Sequence, residues 1–353
     1  MTRLSLHKII NPQPGWYRGD FHLHTTASDG LYSPDELVSH SQAHGLDFIA
    51  VTDHNSISAF PEFNPDSAFL VIPGIEVSFN EGHWNVFGME EMQDWLEGIA
   101  GDEMVLPLSR TERTTTEIME QAANLGLLNS INHPLLVPWA WLDMSTRLDL
   151  VDCLEIWNDP LWPDNKRDNP RAVAMWTDWL NAGFRITAIG GSDFHFFPGD
   201  HDPYPGEYPG LPVTWVHAYQ LSGAAILEGL RQRRVYVSMG PQVSFHAHAN
   251  GQDYDIGADL GQLDGEVEFT GTIKADERAK TARLVRNGEI INSVDLDGLT
   301  NSIKFSQKAN PDLPVWVRLE VIDQHNETIA ITNPIFYGPQ IQPDRTTFGD
   351  FMG

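Results

Sequence analysis

The segment Asp20-Phe21-His22-Leu23-His24 carries two histidines one residue apart. If it is extended, alternation puts both imidazoles on one face, about 7 Å apart along the chain. Both could then converge on one divalent ion at roughly 2.0 to 2.1 Å. One such pair proves little; His246-Ala247-His248 has the same spacing and no comparable neighbours. The first pair gains weight from ligand-type residues further along the chain. Asp29 lies in a Ser-Asp-Gly loop, Asp53-His54 follows the run FIAVT, and Glu76 lies near the end of VIPGIEV. His83 precedes WNVFG, His133 follows LLNSIN, and Asp193-Phe194-His195 follows ITAIGGS. Taken singly, Asp29 could serve a turn, Asp53 could cap a helix and His83 could be a solvated loop residue. Together they put six of the fourteen histidines at the mouths of predicted strands, where barrel and open-sheet enzymes gather their sites. The chemistry expected is hydrolysis by water activated between two or three divalent ions, two of them about 3.5 to 4 Å apart and sharing a hydroxide.

The elements that must position these groups follow from apolar patterning. Strands are predicted at Asp20 to His24, Phe48 to Thr52, Val71 to Val77, Trp84 to Phe87, Leu128 to Ile131, Cys153 to Ile156, Ile186 to Ile189 and Thr214 to His217. Helical periodicity falls between several of them, the pattern of strand and helix units around a mainly parallel sheet or barrel. One helix should start at Ser33, where Ser33-Pro34-Asp35-Glu36 reads as an N-cap, a first-turn proline and a capping-box acid, with Gly45 closing it. Two more are predicted over Thr116 to Leu125 and Pro170 to Ala182, the latter with Trp176 and Trp179 on a buried face. After Met239-Gly240-Pro241 the texture changes to short alternating strands, Val267 to Ile273, Ala282 to Val285, Val315 to Val321 and Thr328 to Ile331, with a hairpin turn at Asn287-Gly288. The expected division is a barrel over 1–240, a small antiparallel β domain over 241–340 and a tail over 341–353.

A chain of 353 residues, 41% hydrophobic and 20% charged, has the balance of a folded protein. Its net charge of -27 should repel phosphate backbones and anionic membranes, so nucleic acid is an unfavoured partner. A small-molecule ester is the expected one. Cys153, the lone cysteine, sits in the apolar run DLVDCLEIW and reads as a buried strand residue. No segment reaches the ~18 apolar residues of a membrane helix, and no secretory signal opens the chain, which together point to the cytoplasm. Arg110, Arg113 and Asn158 are the candidate substrate contacts, and the proline-rich stretch 196–212 is expected to shape the pocket beside His195.

The motifs DFHLHTTASDG, VTDHNS, GIEVS, NHP and GGSDFH resemble those of the polymerase and histidinol phosphatase (PHP) superfamily, over roughly Tyr17 to Val237. The resemblance implies an α/β fold, a distorted seven-stranded (β/α) barrel, here followed by a small antiparallel β-sandwich-like domain. It also implies Mn, Fe or Zn as cofactors and phosphoester hydrolysis as the activity. Carried over by residue, His22, His24, Glu76 and Asp193 would hold one ion, and Glu76 with His83 and His133 a second. Asp29, His54 and His195 would hold a third if present, and Glu76 would bridge. Glu155 or Asn158 could replace His83. His54, His195 or Asp53 would handle protons. The β domain after RVYVSMGP is similar to the carbaryl-hydrolase-like branch, which keeps carbamate, carboxyl-ester and amide bonds open as alternatives, beside a metal-binding module without turnover.

Overall fold

A computed structural model describes residues 4–99, 104–106, 108–201, 203–274, 276–297 and 301–352. Among the described residues, nine strands build the first part: β1 (Gly15–Asp20), β2 (Phe48–Val51), β3 (Leu70–Phe79), β4 (Gly82–Phe87), β5 (Leu128–Ile131), β6 (Cys153–Asn158), β7 (Thr187–Gly191), β8 (Val213–Ala218) and β9 (Val235–Ser238). Four helices flank them: α1 (Pro34–Ala43), α2 (Thr115–Asn124), α3 (Asn165–Ala182) and α4 (Gly223–Arg231). The short strands β2 and β6 are buried at every position, so their apolar runs serve both faces of the sheet. The strand order is β7-β6-β5-β4-β3-β2-β1-β8-β9.

The sheet is mixed rather than mainly parallel. β1, β2 and β3 run parallel, as do β5, β6 and β7. β4 is antiparallel to both β3 and β5, and β8 to both β1 and β9. Only Asn80 and Glu81 separate β3 from β4, and a link this short permits a hairpin but no parallel crossover.

The free edge of β7 is closed by side chains. Thr214 of β8 accepts the Gly190 N–H at 2.8 Å and donates to the Gly190 carbonyl at 2.7 Å. Asn333 accepts the Ala188 N–H at 2.9 Å, and its amide donates to the carbonyls of Ala188 and Val235. The backbone groups of Ala188 and Gly190 and the Val235 carbonyl thereby find partners.

The second part holds β10 (Val243–Ala249), β11 (Gln252–Asp255), β12 (Gly265–Ile273), β13 (Thr281–Arg286), β14 (Glu289–Asp295), β15 (Ser302–Ala309), β16 (Val315–Ile322), β17 (Thr328–Thr332) and β18 (Ile335–Tyr337). One antiparallel sheet runs β11-β10-β12-β15. β14, β13, β16 and β17 instead extend the first sheet, because β17 pairs with β9 through Ala330 to Thr332. The sheet therefore continues past residue 240: β17 covers the open edge of β9. Asn287 and Gly288, at φ 49° and 90°, make the tight turn between β13 and β14. The tail is docked as well. Phe348 is fully buried against Trp141 and Trp179, and its backbone N–H is held by the Thr146 carbonyl.

Two element boundaries differ from expectation in a way that bears on the site. β1 ends at Asp20, so His22 and His24 lie beyond the regular strand, in a segment laid between the ends of β2 and β7. Thr52 N–H donates to the Leu23 carbonyl and His24 N–H to the Phe194 carbonyl, which keeps the segment extended. α3 begins at Asn165 and carries Pro170 inside it. The added turn is held by tertiary bonds: Asn165 reaches Asn158 Oδ1 and the Asp159 carbonyl, and Asn169 reaches both backbone groups of Asn158.

Candidate metal centre

Glu76, fully buried on β3, is the hub. Its Oε1 lies 3.2 Å from His22 Nε2, 3.4 Å from His83 Nδ1 and 3.4 Å from His133 Nε2. Its Oε2 lies 2.8 Å from His54 Nδ1 and 3.6 Å from His24 Nε2. Asp193 Oδ1 stands 3.1 Å from both His22 Nε2 and His24 Nε2. Asp29 faces His195 Nε2 at 3.3 Å and His54 Nε2 at 3.6 Å. Four groups of ligand-type atoms result: His24, Asp29, His54 and His195; His22, His133 and Asp193; His22, His24 and Glu76; and His54, Glu76 and His83, each within 4.8 Å. All nine residues named as metal ligands from the sequence are thus brought together.

The donor atoms have the character of ligands. His22 Nε2, Glu76 Oε2, His83 Nδ1 and His133 Nδ1 are buried without a hydrogen-bond partner, a costly arrangement unless something else satisfies the lone pairs. His22 Nδ1 donates to Glu155 Oε1 at 3.0 Å, which leaves Nε2 as the lone-pair nitrogen aimed at Glu76 and Asp193. His195 Nδ1 likewise donates to the Asp193 carbonyl, freeing Nε2 for Asp29. The residues present therefore fit divalent cations. Such ions, when bound, would stand where several lone pairs now converge.

Against the effect of burial, the facing carboxylates raise His22 well above, and His54 above, the ordinary imidazole value. Burial alone would push the Glu76 and Asp193 carboxyls up, but the surrounding imidazoles hold both well below the usual carboxylate range. Burial and neighbouring imidazoles bring His83 down to about 4 and His24 to about 3, which favours the neutral form a metal needs. His195 is opposed by burial yet raised to about 10 by Asp29 and Asp193. His133 and Asp193 have φ of 25° and 55°, a left-handed backbone that is strained for these residues and recurrent at functional sites.

Several buried groups hold the ligands in place. Asp20, ending β1, accepts the N–H groups of His22, Ser192 and Gly210. Glu155 Oε2 accepts the His133 N–H at 2.8 Å and Asn158 Nδ2 at 3.2 Å. Glu155 is thereby engaged in orienting His22 and His133, and His83 occupies the place beside Glu76. Asn132 donates to Glu76 Oε1 at 2.8 Å. Asp53, expected to handle protons, is instead buried and spent on structure: it accepts Thr25 N–H, Thr25 Oγ1 and Ser28 Oγ, bracing the loop between His24 and Asp29.

The cluster opens into a cavity of about 350 Å³. Asn158 lines it, with Nδ2 donating to Asp193 Oδ2 at 3.2 Å. Arg113 does not: its guanidinium donates to the carbonyls of Trp95 and Glu97. The Arg110 side chain lies outside the described residues. The 196–212 stretch supplies Phe196, His201, Tyr204 and Glu207 to the wall. Sequence reasoning missed Trp139, Trp162 and Asp159, which come from loops without periodicity. Burial and then Glu207 push the Asp159 carboxyl up to about 8, and burial pushes Glu207 up to about 7. Among the described residues, no lysine or arginine lines the cavity.

A two-domain protein from Bacteroides vulgatus, described as containing a predicted PHP-like metal-dependent phosphoesterase, superposes with a TM-score of 0.50 at 18% identity, covering 93% of this chain and 98% of that one. It shares the fold. Over 64 residues, 17% of this chain, the sequence is 39% identical to 5′-3′ exoribonucleases of Haemophilus influenzae and Salmonella typhimurium. The match spans 23% and 22% of those relatives. Among the described residues, no helix is long and apolar enough to cross a membrane. The PHP domain model matches residues 20–131, a span that holds His22, His24, Asp29, His54, Glu76 and His83.

Proposed function

We propose that this protein is a metal-dependent phosphoesterase acting through two or three divalent ions, Mn, Fe or Zn. The observation that carries the reading is the convergence of six imidazoles with the carboxylates of Asp29, Glu76 and Asp193 beside an open cavity. Bound there, divalent cations would supply Lewis acidity to make water a nucleophile near neutral pH and to draw electrons from the ester oxygen. The chain's own residues do the rest. Glu76 gives one oxygen to each side of the cluster, and Glu155 and Asn132 keep the ligand atoms aimed inward. His54 and His195, at the cavity wall, would complete a third cation position or, where it is unfilled, hold the proton for the leaving oxygen.

The net charge and the acidic wall favour a small ester over a nucleic-acid strand. A second reading has one observation behind it: with no described lysine or arginine in the cavity, an uncharged carbamate or carboxyl ester would also be accommodated. Turnover of a phosphomonoester, a phosphodiester, a short RNA, an aryl carbamate and a carboxyl ester, each with added Mn, tests both. Preference for a phosphoester supports the main reading, preference for the carbamate or carboxyl ester the second. Absence of turnover on all five would leave a metal-binding module.

A further inference from the structure

The cavity wall beside the cation cluster has its own chemistry. Asp159 and Glu207 line it at 4% and 6% exposure. One oxygen of each is committed: Asp159 Oδ1 accepts the Leu161 N–H, and Glu207 Oε2 accepts the N–H groups of His195 and Phe196. The Trp162 backbone N–H also meets the Asp159 carboxyl, and among the described residues no lysine or arginine lines the cavity beside the two acids. Beside them stands a wall of rings. Trp162 and Tyr204 lie nearly parallel, 15° apart in plane at 6.2 Å, and Trp139 meets Trp162 edge-on at 5.9 Å. Tyr204 remains 47% exposed and Trp139 36% exposed, large aromatic area left open toward the cavity mouth.

Two buried acids beside π faces, which burial holds toward the protonated form, repel anions once ionised and give a neutral apolar group nothing to offset the cost of their charge. An alkylated ammonium satisfies both surfaces at once, since its charge meets the carboxylates and its methyl groups lie on the negative faces of the rings. A planar neutral ring would use the aromatic wall but leave the two acids unanswered. We propose that the substrate is a small ester bearing an alkylated ammonium group, with the ammonium seated against Asp159, Glu207, Trp162 and Tyr204 and the ester directed to the cation cluster. This rests on the hydrolase reading for the position of the ester, but the ammonium subsite stands on its own residues.

Isothermal titration of the metal-loaded protein with choline and with 3,3-dimethylbutanol, its uncharged isostere, tests the subsite without turnover. Choline should bind at least roughly tenfold more tightly than the isostere, the range expected for a desolvated cation on aromatic faces with carboxylates nearby. The ratio should fall toward one in Asp159→Asn. Tyr204→Leu, at an exposed loop position where misfolding is not a concern, should weaken choline more than the isostere. A ratio near one in the wild-type protein, or the wild-type ratio kept in both variants, would overturn the proposal. Because binding is read directly, choline selectivity without ester turnover would refute only the hydrolase reading, and turnover without choline selectivity only the ammonium subsite.

Discussion

Replacing Glu155 by Gln separates a residue that aims ligands from one that binds metal. The carboxylate is 2% exposed and accepts three hydrogen bonds, from His22 Nδ1 at 3.0 Å, the His133 N–H at 2.8 Å and Asn158 Nδ2 at 3.2 Å. Because it can only accept, it fixes the proton of His22 on Nδ1 and leaves Nε2 for the cation. The glutamine amide has one oxygen and one NH2. Whichever way it turns, the NH2 faces either His22 Nδ1–H or the His133 N–H, so one buried donor loses its acceptor, at a cost of about 1 to 3 kcal/mol. Losing the anionic partner of a ligating histidine weakens metal binding about 10- to 100-fold, or roughly 1.4 to 2.7 kcal/mol. Competition against a chromogenic chelator measures the affinity, and urea unfolding of the metal-stripped protein measures the fold. The expected outcome is weaker affinity with the full number of ions still bound at saturating metal. Unchanged affinity would refute the orienting role. Loss of a whole equivalent of metal at saturation would show that Glu155 is itself a ligand.

Two further outcomes rest on packing alone. A Cβ on Gly191 would stand 2.4 Å from both Glu155 Oε1 and His22 Cβ, so Gly191→Ala should lower metal affinity at least about tenfold although no ligand is deleted, as the loss of a carboxylate partner would; chelator competition checks it. Asn333→Ala removes the side chain that satisfies Ala188 and Val235 across the seam between β7 and β9. It should destabilise the protein by roughly 3 kcal/mol, since buried backbone groups are left unpaired, visible as a lower midpoint in urea unfolding of the metal-stripped protein.

Several candidate ligands were legible in the sequence because they sit just past a strand whose apolar run is easy to see, as Asp53-His54 follows FIAVT and His133 follows LLNSIN. The reason for the His22 and His24 convergence was less so. They keep the alternation of an extended chain, but outside the regular strand, held between Thr52 and Phe194, and a bridge to distant residues leaves no local pattern. Glu155 read as a competitor for a ligand position, and only the His22 and His133 contacts show what it accepts. Arg113 looked suited to an anion because of its charge, yet carbonyls of Trp95 and Glu97 take its guanidinium. Trp139, Trp162 and Asp159 meet at one cavity from separate loops, and loop sequences carry no period from which such a meeting can be read. Asn165 shows the same limit in a helix: Pro170 marks a plausible start, while side-chain bonds to Asn158 and Asp159 hold a further turn before it.

Elemental analysis of the wild-type protein and of Glu76→Gln, both exchanged into the same trace-metal buffer, most directly tests whether these residues form a cation centre. Glu76 supplies an oxygen to each side of the cluster, so its neutral replacement should lose the anionic bridge and with it most of the two or three bound ions, while urea unfolding shows the variant still folded. Equal metal content in the two proteins would contradict a centre built around Glu76.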